Sequence, residues 1–301
     1  MEDLNERCPS RVDYIVHIVV LISVYATLAI SLDVLVGHAG ILSVAHAGYF
    51  GLGAYTVALV STKLGITSVA VLLLAAVLGA ITSLIVSIPA LRLREDYFVI
   101  ATFGFQIIFS SVLNNWMSVT RGPLGIPGIP EPTILALQVR SQAGFLALSG
   151  LVVAMSFVLV YALLPSAFGR VLHGIREDEV LVESLGKSVL RFKILTFALS
   201  ASMAAVAGGV YAQYVSFVDP TSFTIMDSIL IISMVIIGGA GSLFGPALGA
   251  ALLVSLPELL RFVGLPTSIA ANVRQIVYGL VLVIVVAVRP SGIMGNYRVG
   301  R

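Results

Sequence analysis

Cysteine is all but missing. Cys8 stands alone, which excludes an internal disulfide and leaves no thiol partner for a metal site. Charge is scarce as well. Only 11% of residues are charged, against about a quarter in a soluble domain, while 58% are hydrophobic and the mean hydropathy is +1.06. These values exclude a soluble globular domain. Catalytic signatures are equally thin: the chain has neither an HExxH pair nor a nucleophile-elbow serine. Gly186-Lys187-Ser188 imitates the tail of a phosphate-binding loop, but the position where that loop needs its first glycine is Leu181. If ATP powers this protein, another chain must bind it. In the run Arg176-Glu177-Asp178-Glu179, successive helical residues point to different faces and cannot converge on one ion. Acids deep in the apolar runs are lacking too. Asp33, Asp227 and Glu258 fall at run ends, which argues against a proton- or sodium-driven carrier with a carboxylate near the midplane.

What the chain does have is long apolar blocks, at about 14–36, 41–62, 67–90, 97–117, 145–164, 192–216, 226–240, 245–260 and 267–288. Several approach the roughly 20 residues a helix needs to cross a bilayer. They are continuous rather than alternating, so the expectation is an all-α polytopic membrane protein with about eight to ten crossing helices, and not a barrel. The first block exceeds a signal-peptide core and lacks a convincing cleavage site, so it reads as a retained span. Glycine interrupts the pattern near 37–54 and 238–249. Such segments resemble re-entrant or broken transporter helices. For Gly241, Gly245 and Gly249 the competing reading is tight helix packing through overlapping GxxxG steps.

Basic residues set the expected orientation. Arg92 and Arg94, the stretch 170–193, and Arg289, Arg298 and Arg301 form the dense clusters, all expected on the cytoplasmic side. The parity of blocks between them agrees, and places 62–67, 118–144, 217–225 and 261–272 outside. The Pro/Gly-rich segment 118–144 would form an external cap. Three blocks precede Arg92, so either the chain enters from outside or residues 37–50 are re-entrant or broken. Both readings stay open.

The stretch 170–193 is a charged island. Five of the 17 Lys/Arg and four of the 15 Asp/Glu fall within it, between two long uncharged runs. It reads as a short amphipathic helix in water, concentrated enough to dock a partner. Within the glycine-rich stretch, Gly37, His38, Ser43, His46 and Tyr49 are candidates for the lining of a solute path, as is Asn114 near the outer mouth. The plainer reading is a pair of buried histidines bonding neighbouring helices, with Asn114 beside an interfacial tryptophan anchor.

Four ordered stretches carry a family resemblance: LDVLVGHAGILSVAHAGYFGLGAYT (32–56), FGFQIIFSSVLNNWMSVTRGPLGIPGIP (103–130), GRVLHGIREDEVLVESLGKSVLRFKILTFALSASMAAVAGGVYA (169–212) and VIIGGAGSLFGPALGA (235–250). Through them the chain resembles LivM-type permease subunits of branched-chain amino-acid ABC transporters, from about residue 25 to 290. The resemblance implies a single transmembrane permease domain over 1–301 in the cytoplasmic membrane of a bacterium or archaeon. It implies a second homologous permease, two cytoplasmic ATPases that hold ATP and magnesium, an extracytoplasmic solute-binding protein, and no cofactor or nucleic acid on this chain. It also implies that 169–193 is the ATPase-coupling loop, with Arg176, Glu177, Asp178, Glu179, Glu183 and Gly186 in contact. Glu183-Ser-Leu-Gly186 stands where the family has Glu-Ala-Ala…Gly, and Ser184 and Leu185 depart from the alanines. The implied cargo is a branched-chain or similar amino acid; urea, short amides or aromatic acids are the alternative. A stand-alone facilitator is the third reading, and it would need no docking loop.

Overall fold

The computed structural model describes residues 11–91, 93, 95–134, 137–139, 141–261, 267–289 and 291–295. Cys8, Arg92, Arg94, Arg298 and Arg301 lie outside the described residues. So does most of the first half of the expected outer segment 261–272.

Among the described residues the apolar blocks become helices in the same order. α1 is Arg11–Asp33, prolonged by a π-helical turn over Val34–His38; α2 is His46–Leu64, α3 Ala70–Ala90 and α4 Glu95–Asn115. The short α5, Met117–Thr120, turns the corner, and α6 follows at Gln142–Leu163. The charged island holds α7, Ala167–Glu177, and α8, Glu179–Ser184. The remaining helices are α9, Val189–Val215; α10, Ile225–Gly238; α11, Gly245–Arg261; and α12, Thr267–Val288. Two small antiparallel pairs complete the fold: β1 (Ile126–Pro127) with β4 (Phe217–Val218), and β2 (Thr133–Ile134) with β3 (Leu137–Gln138).

Among the described residues six segments are long and apolar enough to cross a membrane: Asp13–His38, Ala70–Ala90, Tyr97–Asn115, Gln142–Leu163, Val189–Val215 and Pro220–Gly238. The larger number expected from the blocks includes three weaker helices. α2 carries His46, Lys63 and several glycines; α11 has 17 residues with Pro257 inside; α12 is apolar only over Gln275–Val288. The seventh block, expected to be short, gains a full span because Pro220–Ser222 adds a 3₁₀ turn ahead of α10.

The centre is α9, packed against α2 and α3. A Cβ on Gly208 would lie 1.9 Å from the Phe50 carbonyl oxygen, and one on Gly53 equally close to that of Ala205. Only a missing side chain allows backbones this near, and lipid supplies no hydrophobic drive to substitute for such packing. The same device joins α10 to α11, where a Cβ on Gly249 would meet the Met234 carbonyl at 1.9 Å. Gly241 instead sits in the intervening turn with φ +78°. Packing and interruption thus both hold, on neighbouring glycines.

Two ends emerge. At one, His17 bonds Tyr214 (2.7 Å), Tyr214 meets Phe145 edge-on, β1 pairs with β4, and the Ser216 carbonyl accepts from Gly128 and Ile129. Residues 64–69, 116–134, 137–139 and 216–223 gather there as a cap. At the other end lie α7, α8, the turn after α10, and Ile293 and Met294, whose amides donate to the carbonyls of Ile237 and Gly238. α1 therefore starts at the cap end and finishes beside the charged island. Within the bundle α1, α2 and α3 run in turn from the cap end to the island end, back, and forward again.

Candidate functional site

The glycine-rich stretch is a break inside the bundle. After His38 the backbone is irregular to Ala45, and α2 begins with His46 opposite Ser31, whose Oγ lies 2.7 Å from His46 Nε2. At this depth non-helical backbone needs internal partners. Ile41 donates to the Leu35 carbonyl (3.0 Å), Val44 to Thr102 Oγ1 on α4 (3.2 Å), Ala45 to Ser43 Oγ (3.3 Å), and Ala47 to Ser228 Oγ on α10 (3.0 Å). Three helices thus hold one break.

Below it lies a polar joint. Asp33 is 3% exposed. Its Oδ1 accepts from the Gly241 amide at 2.8 Å, and its Oδ2 lies 3.5 Å from His38 Nε2. The His38 ring meets His173 edge-on, 5.4 Å between centroids. The Arg176 guanidinium donates to the Gly37 carbonyl. A Cβ on Gly37 would strike Asp33 Oδ1 at 2.1 Å and the Gly241 amide at 2.3 Å. The two glycine interruptions therefore touch, and the charged island is tied to both. Asp33 looked like a run end because the apolar residues stop at Val36, but the helix carries on through the π turn and buries it. Asp33 is thus both the last residue of α1, as its place at the run end suggested, and buried by the neighbouring elements.

The island differs from the single helix expected. Asp178 adopts an extended conformation (φ −155°, ψ 102°), ends α7 and caps α8, with Oδ1 accepting from the Leu181 amide at 3.0 Å. The result is a corner. Gly186, at φ +76°, lets the chain leave α8, and the Lys187 amide returns to the Val182 carbonyl (3.3 Å). Glu177, Asp178 and Glu183 face outward, Glu179 holds Lys193 at 2.5 Å, and Arg176 turns inward to Gly37. The outward face also carries Val180, Leu181 and Leu185, 75%, 57% and 71% exposed.

Of the six candidates for a solute path, five are buried. Gly37 and His38 belong to the joint, Ser43 and His46 to the break, and Tyr49 packs between the rings of Phe105 and Phe197. Asn114 lines a groove of about 350 Å³ with Gln106, Ile107, Ser110, Ser111, Thr224 and Ile225. Sequence reasoning passed over Gln106, Ser110 and Thr102. Their four-residue spacing on an otherwise apolar helix was the available signal.

A bundle of apolar spans, with an irregular break between two of them that is tied to the charged corner, fits a multi-pass membrane permease. Residues 14–286 match the family described as branched-chain amino acid transport system / permease component. The high-affinity branched-chain amino acid transport system permease protein LivM of Escherichia coli K12 is 33% identical, over 93% of this chain and 69% of that protein. LivH of Salmonella typhimurium is 26% identical over 92% of this chain and 93% of its own length. The autoinducer 2 import system permease protein LsrC of Klebsiella pneumoniae matches at 28% over 56% of this chain and 49% of its own. No solved structure matches. The chain belongs to this permease family, as a transmembrane subunit of an ABC importer.

Proposed function

We propose that this chain and a homologous permease together form the alternating-access pathway for branched-chain or similar amino acids across the cytoplasmic membrane. The α7–α8 corner is the surface that a cytoplasmic ATPase grips. ATP and magnesium stay on that partner, and an extracytoplasmic binding protein delivers the solute at the cap end.

The observation that carries this reading is the corner itself. A six-residue helix seated on the bundle through Val182, with three large aliphatic side chains exposed beside Glu177, Asp178, Glu183 and Lys187, is an apolar patch with a charged rim. Such a patch in water calls for a partner. ATP-driven closure of the ATPases would push it as a rigid body, and different ATP affinities for the two states supply the drive. The presence of LivM and LivH among the relatives supports a permease pair.

The test uses the complex purified from native membranes. Glu183→Lys and Leu185→Asp should each insert normally but lose ATPase stimulation and co-purification of the ATPase. Normal uptake of leucine in both variants would overturn the docking assignment. Uptake of urea or short amides instead of leucine by the unsubstituted complex would overturn the cargo.

A further inference from the structure

A second groove, of about 680 Å³, lies between α6 and α9 and opens to the outside of the bundle. Its size is that of a ligand site. One wall is the face of α6 that carries Leu151, Met155, Val158 and Ala162. The other is the face of α9 that carries Ser202 and Val206. Met203 closes the floor, packed with Ile30, Val34 and Val160. The serines add no polar demand. Ser156 Oγ donates to the Val152 carbonyl at 2.8 Å and Ser202 Oγ to the Leu199 carbonyl at 2.7 Å, each within its own helix. The interior therefore suits a flexible apolar chain, and a polar solute would lose its hydrogen bonds there.

The groove has one charged end. Helical spacing puts Arg191 and Leu195 on the same face of α9 as Ser202 and Val206. Arg191 stands about 16 Å from Ser202 toward the island, by the helical rise. Leu195, 56% exposed, continues the apolar surface between them. Arg191 is exposed, and among the described residues it has no hydrogen-bond or ion-pair partner. On the other wall Arg170 donates to the Pro165 carbonyl at 2.7 Å, which holds its guanidinium just beyond Ala162 and leaves its other donors uncommitted. Phe168 and Phe192 hold these two stems together, with ring centroids 5.3 Å apart. Neither wall carries a carboxylate, because no acid occurs in 141–176 or 184–218. Glu179, in the nearby corner, is occupied by Lys193.

We infer that this groove holds an acyl chain of an anionic phospholipid, whose phosphate meets Arg170 and Arg191. A basic pocket at the end of membrane helices is a fitting seat for such a headgroup, and the apolar slot leading from it fits the chain. A helix of another subunit would leave both arginines without counter-charge unless it brought an acid of its own. The site does not depend on what the importer carries or on where its ATPase docks.

The experiment uses the whole importer complex, reconstituted in vesicles of equal parts phosphatidylglycerol and phosphatidylcholine and then extracted in mild detergent. Native mass spectrometry counts the lipids that stay bound. Comparison between variants isolates this chain's site from any on the partner chains. Arg170→Gln and Arg191→Gln should each lower retention of phosphatidylglycerol at this site about five-fold, the worth of one basic contact at a membrane surface. Lys63→Gln, at the cap end, should leave it unchanged. Ala154→Phe and Ser202→Phe narrow the groove from opposite walls, and each should release the lipid while the complex stays assembled. Retention that survives both arginine substitutions, or the narrowing in whichever variant assembles, would overturn the inference. Loss of the second permease from Ala154→Phe would also overturn it, by assigning the groove to a subunit interface.

Discussion

Single residues decide how the interruptions are held. Asp33 accepts from the Gly241 amide across 208 positions of sequence, so its replacement separates two effects. Asp33→Asn keeps an oxygen for that amide and should fold with a modest drop in thermal midpoint. Asp33→Leu leaves the buried N–H bare and should cost about 1–3 kcal/mol. Thermal unfolding in one detergent checks the order; equal midpoints would remove Asp33 from the joint. Packing is less forgiving: Gly208→Val has no room against the Phe50 carbonyl and should prevent accumulation of folded protein in the membrane. At this scale the sequence was half legible. Gly37, His38, Ser43, His46 and Tyr49 stood out because polar or small residues are rare in apolar runs. Whether such a residue meets solute or another helix depends on a partner far along the chain. His46 has Ser31 and Ala47 has Ser228, and no local pattern reveals either pairing.

Elements were the most legible scale, because long apolar runs admit one solution in lipid, a helix with every backbone group paired internally. The first block, read as 14–36, covers α1 and most of its π turn, and what it could not show is that Asp33 inside it bonds the Gly241 amide. Boundaries failed where two helices meet in the charged island. The alternation over 170–193 fits one amphipathic helix, whereas Asp178 is a cap preceding the apolar residues Val180 and Leu181, a start signal that lies in plain view. This cap gives α8 a separate prediction. Asp178→Ala should weaken α8 by about 1 kcal/mol, with little effect on the bundle, and Asp178→Ser should restore it. Hydrogen exchange over 179–185 reads the local change, and ATPase stimulation reads its consequence. Unchanged exchange in Asp178→Ala would mean that the partner, rather than the cap, orders the corner.

For the whole molecule, the proposed docking raises the question of how a push at the α7–α8 corner would reach the rest of the bundle. The path is short. Arg176 joins α7 to the Gly37 carbonyl, Gly37 lies against Asp33 and Gly241, and the break beyond it is held by Thr102 on α4 and by Ser228 on α10. A displaced corner therefore moves both interruptions together, because the glycines leave no slack between them. Two roles for Arg176 give opposite results. If it served the ATPase directly, Arg176→Ala would lose the ATPase on purification. If it serves the joint, as its inward turn indicates, Arg176→Ala should keep the complex intact and hydrolysing ATP, while leucine uptake falls several-fold. Arg176→Lys should recover part of the uptake, since an ammonium donates to one carbonyl nearly as well but lacks the planar fork. Measuring hydrolysis and uptake on the same proteoliposomes separates the two roles. Loss of both together would return Arg176 to the docking surface and leave the joint to Asp33 and the glycines.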